Sequence, residues 1–403
     1  MDNVTHALAG CLLAVATVAI VERNGIKTPR NFRAVATTVG IIAAELPDSD
    51  LIYAGPRLGM GSLGYLLHHR GHTHTVLFAV IGALLVWLAA LALSRDSRRA
   101  PMRIPLLVLA LVGTMSHLAL DYTNNYGIHP FWPVVNTWYY GDAVFIVEPW
   151  LWIVSIPALY LFYRGRTARA VLALLLGIIL VASWAINMVT RDVAIAFSIA
   201  TLVWFVVLQA TTPARRVGAA IGAWVFVELV FMNASLRARD AVRAAVGETY
   251  RDVSLTPLIG NPLCYSAIVV EADSTTYRVT DATVAPFASI RGASTCAGEP
   301  RGGTGSKKLS TRNSTEGIRW GSESQQPLAD LINIVRTSCE AAAAMEFIRV
   351  PVWQETQADS VQLGDARFGS ANSGFATVTA SLHPTSCPRF VPGWTSPRAD
   401  VLN

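Results

Sequence analysis

Three short clusters of histidine and aspartate hold the side chains in this sequence that are best suited to chemistry. They are residues 47–50 (Pro-Asp-Ser-Asp), 69–74 (His-Arg-Gly-His-Thr-His) and 117–121 (His-Leu-Ala-Leu-Asp), and each lies at one end of an apolar run. His6 opens the first apolar run of the chain. Nitrogen and oxygen ligands without cysteine favour Zn²⁺, Mn²⁺ or Fe²⁺ over a soft metal. The composition of these clusters therefore predicts a metal site.

The spacing within each cluster turns its polar side chains toward one side. His117 and Asp121 are four positions apart, so on a helix both lie on one face, about one turn apart. His69 and His74 flank Gly71, which permits a turn that points both rings at one centre. The two aspartates of the first cluster face the same way in an extended segment, although a polar turn at a helix end is the alternative. The predicted metal ligands are His6, Asp48, Asp50, His69, His74, His117 and Asp121.

A ligand set of this size predicts two or more divalent ions, with Zn²⁺ favoured and Mn²⁺ or Fe²⁺ as alternatives. A two-metal centre holds the attacking and the leaving oxygen of a phosphoester. Three further side chains are candidates for catalytic roles. Arg70 suits a phosphate because its fork of donors matches phosphate oxygens, and anchoring at lipid headgroups is the alternative. His72 is a candidate ligand or base, with a surface residue as the alternative, and Glu148 is a carboxylate near the start of the fifth apolar run.

Apolar runs organise the first 235 residues. Charged residues make up only 15% of the 403 residues, against about 25% in soluble domains. We predict an α-helical polytopic membrane domain of about eight helices over residues 1–235, followed by a small α+β extracytoplasmic domain over residues 236–403. The second run is shorter than the roughly 17 residues that a straight span needs, so a re-entrant or interfacial helix is the alternative there. The runs cover residues 5–21, 32–46, 75–93, 104–120, 144–163, 168–188, 192–210 and 217–234.

Lysine and arginine in the loops predict the orientation of the membrane domain. The loops after the first, third, fifth and seventh runs hold thirteen of these residues, whereas the other loops hold Arg57, Arg70 and Arg191. Because cytoplasmic loops carry the excess of positive charge, every histidine and aspartate cluster is predicted to lie on the outer face of an inner membrane. The net charge of +5 comes largely from these loops, which favours membrane topology over nucleic-acid binding.

The remaining sequence predicts a mixed α and β domain docked over that outer face. Strand-like runs cover residues 264–271, 275–284, 346–353, 360–368 and 375–382. Residues 291–327 are rich in Gly, Ser and Thr and predict a mobile loop, and residues 328–347 have helical spacing. Four cysteines in an exported domain predict two disulfides, with three pairings open and free buried thiols as the alternative. These cysteines are Cys264, Cys296, Cys339 and Cys387.

Several motifs resemble those of a known family, the YdjM-like family of membrane-bound metal-dependent hydrolases. The matching motifs are residues 2–10, 47–50, 69–75 and 117–127. Residues 145–149 resemble a family stretch in which Asp-Pro is expected, so Glu148 departs from the pattern but keeps a carboxylate. Residues 261–263 and 364–368 resemble tail motifs of longer members. The histidine and aspartate pattern is also similar to that of zinc-dependent phospholipase C and single-strand nucleases.

The leading hypothesis is a metal-dependent hydrolase that acts on a phosphoester of a membrane lipid or lipid-linked substrate. The alternative is a non-enzymatic, metal-stabilised membrane scaffold or stress-response protein with a closed metal site. Ion pairs of Arg70 and His72 away from the metals would favour the scaffold. Ion transport is a third interpretation, but the last three runs offer few of the polar residues that it needs. Those residues are Asn187, Glu228 and Asn233.

Overall fold

The structure of the chain is a computed structural model. It describes every residue except 56–59, 187, 188, 297–305, 307, 358, 373, 384, 385 and 403. Arg57 and Asn187, which enter the predictions of orientation and transport, lie outside the described residues, as does part of the predicted mobile loop.

Each predicted apolar run contains a helix of the membrane domain. The helices are α1 (Asn3–Arg23), α2 (Phe32–Glu45), α3 (Leu51–Ala54), α4 (Gly61–His68), α5 (Val76–Leu93), α6 (Ala100–Tyr122), α7 (Pro149–Phe162), α8 (Arg166–Ala185), α9 (Arg191–Gln209) and α10 (Pro213–Val246). Six of them are long and apolar enough to cross a membrane. The helices α2 and α7 have 14 residues each, so both are shorter than a straight span.

Small residues allow the short helix α2 to pack closely against α1. Gly10 and Gly40 face each other so closely that a Cβ atom on either would overlap the carbonyl group of the other. Such small residues let helix backbones approach each other within a membrane. Asn3 at the start of α1 donates a hydrogen bond of 2.9 Å to Glu45 at the end of α2. The two helices are therefore antiparallel, and the end of α2 lies on the same face as the start of α1.

Two antiparallel sheets form the carboxy-terminal domain. One has the strand order β1-β2-β3-β4 and the other β5-β6-β7. The strands are β1 (Tyr250–Leu258), β2 (Asn261–Ala272), β3 (Thr276–Val284), β4 (Ile318–Pro327), β5 (Pro351–Gln357), β6 (Ser360–Asp365) and β7 (Thr377–Ser381), and the helices are α11 (Leu328–Thr337), α12 (Cys339–Ala344) and α13 (Ala399–Leu402). The predicted fold class, a helical membrane domain followed by a small α+β domain, is thereby confirmed.

Three local predictions differ from the structure. The strand predicted over residues 346–353 is β5, Pro351–Gln357. Residues 318–327 of the predicted mobile loop form β4, which pairs with β3. This strand lies at the edge of its sheet, and an edge strand tolerates polar residues that hide the strand pattern. The helix α10 continues to Val246, so the predicted domain boundary at residue 235 falls inside a helix. The four cysteines form two disulfides as predicted, with the pairing Cys264–Cys296 and Cys339–Cys387.

A buried ion network joins the two domains. The guanidinium group of Arg349 donates to both carboxylate oxygens of Asp142, at 2.8 and 2.9 Å, in the segment between α6 and α7. It also donates to both oxygens of Asp252 in β1, at 2.8 and 3.1 Å. Planar, two-point contacts of this kind fix relative orientation as well as adding free energy. The carboxy-terminal domain is thus held against the face of the membrane domain on which the histidine clusters lie.

Candidate metal centre

The turn after α2, the turn before α5 and the end of α6 bring four predicted ligands together. Asp48, His74, His117 and Asp121 each offer one ligand atom, and these atoms lie within 4.8 Å of one another. The Nε2 atom of His74 lies 3.0 Å from Asp121 Oδ2 and 3.4 Å from Asp48 Oδ1. The two histidines and Asp121 are buried. This set of donors suits a metal that prefers nitrogen and oxygen ligands.

A second group of potential ligands adjoins the first. Asp48, Asp50 and His69 also place their ligand atoms within 4.8 Å of one another. The Nδ1 atom of His69 lies 3.0 Å from Asp50 Oδ1. Asp48 belongs to both groups, so its carboxylate lies between them. Six of the seven predicted ligands are therefore members of one of two adjoining groups.

The contacts within the first group fit a bound metal ion. The Nε2 atoms of His74 and His117 face each other at 3.1 Å, so at most one proton fits between them. Asp48 Oδ1 is buried without a hydrogen-bond partner among the described residues, and an unsatisfied buried oxygen costs free energy. A zinc ion, for example, takes imidazole nitrogens and carboxylate oxygens at about 2.0–2.2 Å. A cation here would satisfy the facing nitrogens and the free oxygen together.

Neighbouring groups hold the ligands in orientation. His117 Nδ1 lies 2.5 Å from the carbonyl oxygen of Ala44, so its N–H donates there and Nε2 is left to bind a metal. The hydroxyl group of Thr73 donates to Asp50 Oδ2 at 2.8 Å, and the backbone N–H of Arg70 donates to the same oxygen at 2.9 Å. Such outer contacts set the tautomer and direction of metal ligands.

His6 lies beside the first group rather than within it. Its ring stacks on His117 with 3.8 Å between the ring centroids, and its Nε2 atom lies 3.4 Å from Asp121 Oδ1. Both of its ring nitrogens are buried without a hydrogen-bond partner in the part of the chain that is described. The amino group of Met1 also contacts Asp121. The ligand role of His6 stays a prediction, with a nitrogen free to serve it.

The histidines and carboxylates of the cluster shift one another's pKa values. Burial by itself raises the pKa of Asp48, but the rings of His117 and His74, at 3.5 and 3.4 Å, outweigh that effect and hold the pKa well below its ordinary value. Burial lowers the pKa of His74, but its contacts with three carboxylates outweigh that effect and raise the pKa to about 10. Without metal, the site therefore keeps a proton on His74 to balance its carboxylates. A metal cation would take the place of that proton.

Arg70 lies at the edge of the cluster. Its Nη2 atom is 2.9 Å from Asp121 Oδ1, and its Nη1 atom donates to Asn124 at 2.9 Å. The guanidinium group stacks over the ring of Tyr126, 4.7 Å from the ring centroid. Its Nε atom is buried and has no partner among the described residues. Arg70 thus keeps a free donor beside the candidate metal ligands.

A cavity of about 620 Å³ opens next to His69 and Arg70. We refer to it as the aromatic cavity, because tyrosine and phenylalanine side chains form much of its wall. The wall combines these rings with aliphatic and polar groups from both domains. The lining residues are Ser62, Tyr65, His69, Arg70, Asn124, Asn125, Tyr126, Val144, Phe145, Ile146, Thr256, Arg367, Phe368 and Phe375.

Comparison with known proteins agrees with the placement of these clusters. Residues 1–193 match the family model described as YdjM inner membrane protein. The chain is similar to this family over these 193 of its 403 residues, which we call the YdjM part. No curated protein and no solved structure matches the chain. All seven predicted metal ligands lie in the YdjM part, whereas Thr256, Arg367, Phe368 and Phe375 in the wall of the aromatic cavity lie beyond it.

Two of the predicted catalytic residues have other contacts. The ring of His72 packs against Trp132 and Trp394, with 4.6 and 4.8 Å between ring centroids, and it belongs to neither ligand group. Glu148 caps α7 by accepting from the Trp150 backbone N–H, and its second oxygen accepts from the Gly260 backbone N–H, both at 3.2 Å. These contacts give Glu148 a structural role that joins the YdjM part to the β1–β2 turn.

Replacing Glu148 by glutamine is expected to remove a loss of stability that the wild type shows as the pH rises. Burial raises the pKa of Glu148 from 4.5 to about 8, so the folded state holds this proton more tightly than the unfolded state does. The proton on Glu148 contributes to the free energy of unfolding. This contribution is fully present below pH 4.5 and is lost as the pH rises toward 8. Thermal unfolding between pH 5 and 9 should show wild type losing stability relative to Glu148→Gln over that window. A variant with the wild-type pH profile would contradict the buried, neutral carboxyl.

Sequence reasoning missed the carboxy-terminal wall of the aromatic cavity. Phe368 and Phe375 contact each other with 4.6 Å between ring centroids, and Phe368 also contacts Tyr126 at 5.7 Å. The signals there were the resemblance of residues 364–368 to a tail motif and the strand-like runs over residues 360–368 and 375–382. Neither signal indicated a site, because apolar side chains in a sequence do not distinguish a cavity wall from a core.

Proposed function

We propose that the protein is a membrane-bound metal-dependent hydrolase that cleaves a phosphoester in a lipid or lipid-linked substrate. The observation that carries this proposal is the adjacency of three features. The two ligand groups share Asp48, His69 of the second group lines the aromatic cavity, and Arg70 lines it as well. A phosphate bound by Arg70 would then lie next to the ligands, with the apolar part of its substrate against the aromatic wall.

The donor set favours two divalent ions, of which Zn²⁺ suits the mixture of imidazole and carboxylate best. Such ions polarise a phosphoryl oxygen and activate water near neutral pH. The protein's own side chains bind and orient the substrate. Arg70 would hold a phosphate oxygen through Nε and its forked nitrogens, and the ring of Tyr126 beneath it would keep the guanidinium in place.

The cavity also favours a hydrolase over a closed, metal-stabilised scaffold. A structural site is filled by protein ligands, whereas a catalytic site keeps a position open to substrate. The second group has three ligands and adjoins the aromatic cavity through His69. Arg70 forms its ion pair with Asp121 of the first group and not with a carboxylate away from the ligands. This is the arrangement expected of a hydrolase.

Charge in the loops and the disulfides together support an extracytoplasmic position for the candidate site. Disulfides persist in oxidising compartments outside the cytosol, and both lie in the carboxy-terminal domain. The arginine-rich loops lie at the opposite helix ends. The proposed location is therefore the outer face of the inner membrane, where lipid headgroups reach the aromatic cavity.

Turnover by the purified full-length protein tests this proposal. We expect hydrolysis of a phosphodiester or phospholipid that stops on chelation and returns with Zn²⁺. Arg70→Gln should lower kcat/KM by about 10- to 100-fold, the value of a charge-assisted hydrogen bond, while metal content stays unchanged. Arg336→Gln, at an exposed position of α11, is the matched control. Absence of metal-dependent turnover across a broad panel of phosphoesters, with the metal bound, would favour the scaffold.

A further inference from the structure

A second concave site lies apart from the metal centre. It is a cleft of about 470 Å³ between the ends of α6 and α10, residues 137–141 and residues 395–398. None of its lining residues lines the aromatic cavity. Four arginines, which are Arg239, Arg251, Arg349 and Arg398, line it, and we call it the arginine cleft.

Two of these arginines have donors without partners. The side chain of Arg398 is 6% exposed, and its Nη1 atom is buried with no hydrogen-bond partner among the described residues. Arg251 in β1 is exposed, and no hydrogen bond or ion pair engages its side chain within the described ranges. A buried guanidinium nitrogen left unpaired costs free energy. An anion in the cleft would satisfy it.

The carboxylates around the cleft are already engaged. Asp142 and Asp252 bind the forks of Arg349 and Arg239, and Asp252 also accepts from Arg398 Nη2 at 3.2 Å. Asp400 approaches Arg398 Nε at 3.5 Å. Four guanidinium groups therefore face three carboxylates, and the free donors lie on the side of Arg251 and Arg398. The balance favours binding of one further negative group.

The cleft lies where the apolar surface of the membrane domain ends. Along α10, Phe226, Leu229 and Leu236 are 67%, 62% and 53% exposed, as expected of side chains that face lipid. Leu236 lines the cleft, and Arg239 follows it by one helical turn. Tyr122, 37% exposed at the end of α6, also lines the cleft, and tyrosine is enriched at the membrane–water interface. The free donors are therefore at the depth of lipid headgroups.

We propose that the arginine cleft binds the phosphate group of an anionic lipid headgroup. Arg251 and Arg398 contact the phosphate oxygens through charge-assisted hydrogen bonds, and Leu236 and Tyr122 contact the start of the acyl chains. Free phosphate offers the same chemistry without those apolar contacts. This site is independent of the proposed hydrolase, because none of the residues that carry it belongs to the metal centre.

Binding of short-chain lipids to the purified full-length protein tests the proposal. The probes are dihexanoyl phosphatidylglycerol, dihexanoyl phosphatidylcholine and inorganic phosphate, each titrated by calorimetry in neutral detergent. We expect Arg251→Gln to weaken phosphatidylglycerol binding about fivefold, and Arg251→Gln with Arg398→Gln further, as for arginines near anionic lipid. Arg336→Gln should bind like wild type, and the zwitterionic lipid should bind weakly to every variant.

The outcomes separate the sources of the phosphate. Inorganic phosphate that binds with the same dependence on Arg251 supports the cleft as a phosphate site that does not need the acyl chains. Dependence seen with phosphatidylglycerol alone supports a lipid site that needs them. Unchanged binding of both anions in Arg251→Gln and in the double variant would overturn the proposal. Arg251 is exposed, and no hydrogen bond or ion pair engages its side chain among the described residues, so this variant is a fair test even if Arg398→Gln unfolds.

Discussion

In the proposed two-ion hydrolase, replacing Asp48 by asparagine is expected to release both ions together and to lower turnover strongly. Asp48 is the residue that the two ligand groups share, and a neutral amide would hold cations less strongly than the carboxylate does. Loss of the ions removes several kcal/mol of transition-state stabilisation, which corresponds to a fall of about a thousandfold in kcat. Metal analysis of the purified variant, beside its turnover, measures both effects.

Single-group variants provide the contrast that makes this result specific. His69→Gln should lose the ion of the second group and keep the first, and His117→Gln should do the reverse. Asp240→Asn, an exposed position of α10, is the matched control and should keep both ions. Asp48→Asn also lowers the repulsion among buried carboxylates, so the variant should remain folded. If it retained two ions, or lost only one, the shared carboxylate would be refuted.

The parts of the centre that sequence predicted are those fixed by local spacing. His117 and Asp121 meet because a helix places them one turn apart, and Nε2 of His117 lies 3.4 Å from Asp121 Oδ2. The turn at Gly71 was also foreseen, although the left-handed residue is Arg70, with φ of 60°. That conformation lets its backbone N–H reach Asp50 while its side chain reaches Asp121.

The contacts of His72 and Glu148, whose catalytic roles stay predictions, depend on distant segments of the chain. His72 and Trp394 are far apart in sequence, and only the folded carboxy-terminal segment shows that the ring packs against tryptophan. Glu148 likewise meets Gly260 only once the β1–β2 turn is in place. The sequence did not predict the strand β4, because its polar residues show no strand pattern. Its pairing with β3 forms the strand in the structure. The structure of these residues depends on packing between distant segments, which patterns in a single sequence do not indicate.

Replacing Arg349 by methionine is expected to destabilise the protein strongly and to loosen the carboxy-terminal domain. Arg349 is buried between Asp142, which is buried, and Asp252, whose side chain is 15% exposed, so its removal leaves both carboxylates with less compensation. Breaking a buried ion pair from one side costs about 3–5 kcal/mol. Denaturant unfolding in detergent measures the change, and limited proteolysis should release the carboxy-terminal domain sooner. Turnover should fall with it, since this domain closes the aromatic cavity.

Two comparisons test whether the burial of Arg349 causes the loss of stability. One uses an exposed ion pair and the other uses a double variant. Arg33 contacts Glu22 at 2.9 Å with side chains 53% and 38% exposed, so Arg33→Met should cost no more than about 1 kcal/mol. Adding Asp142→Asn to Arg349→Met should recover part of the stability, because it removes one carboxylate that lost its partner. Equal losses from Arg349→Met and Arg33→Met would mean that contacts other than this ion network hold the domains together. The aromatic cavity would then not depend on this ion network for its closure.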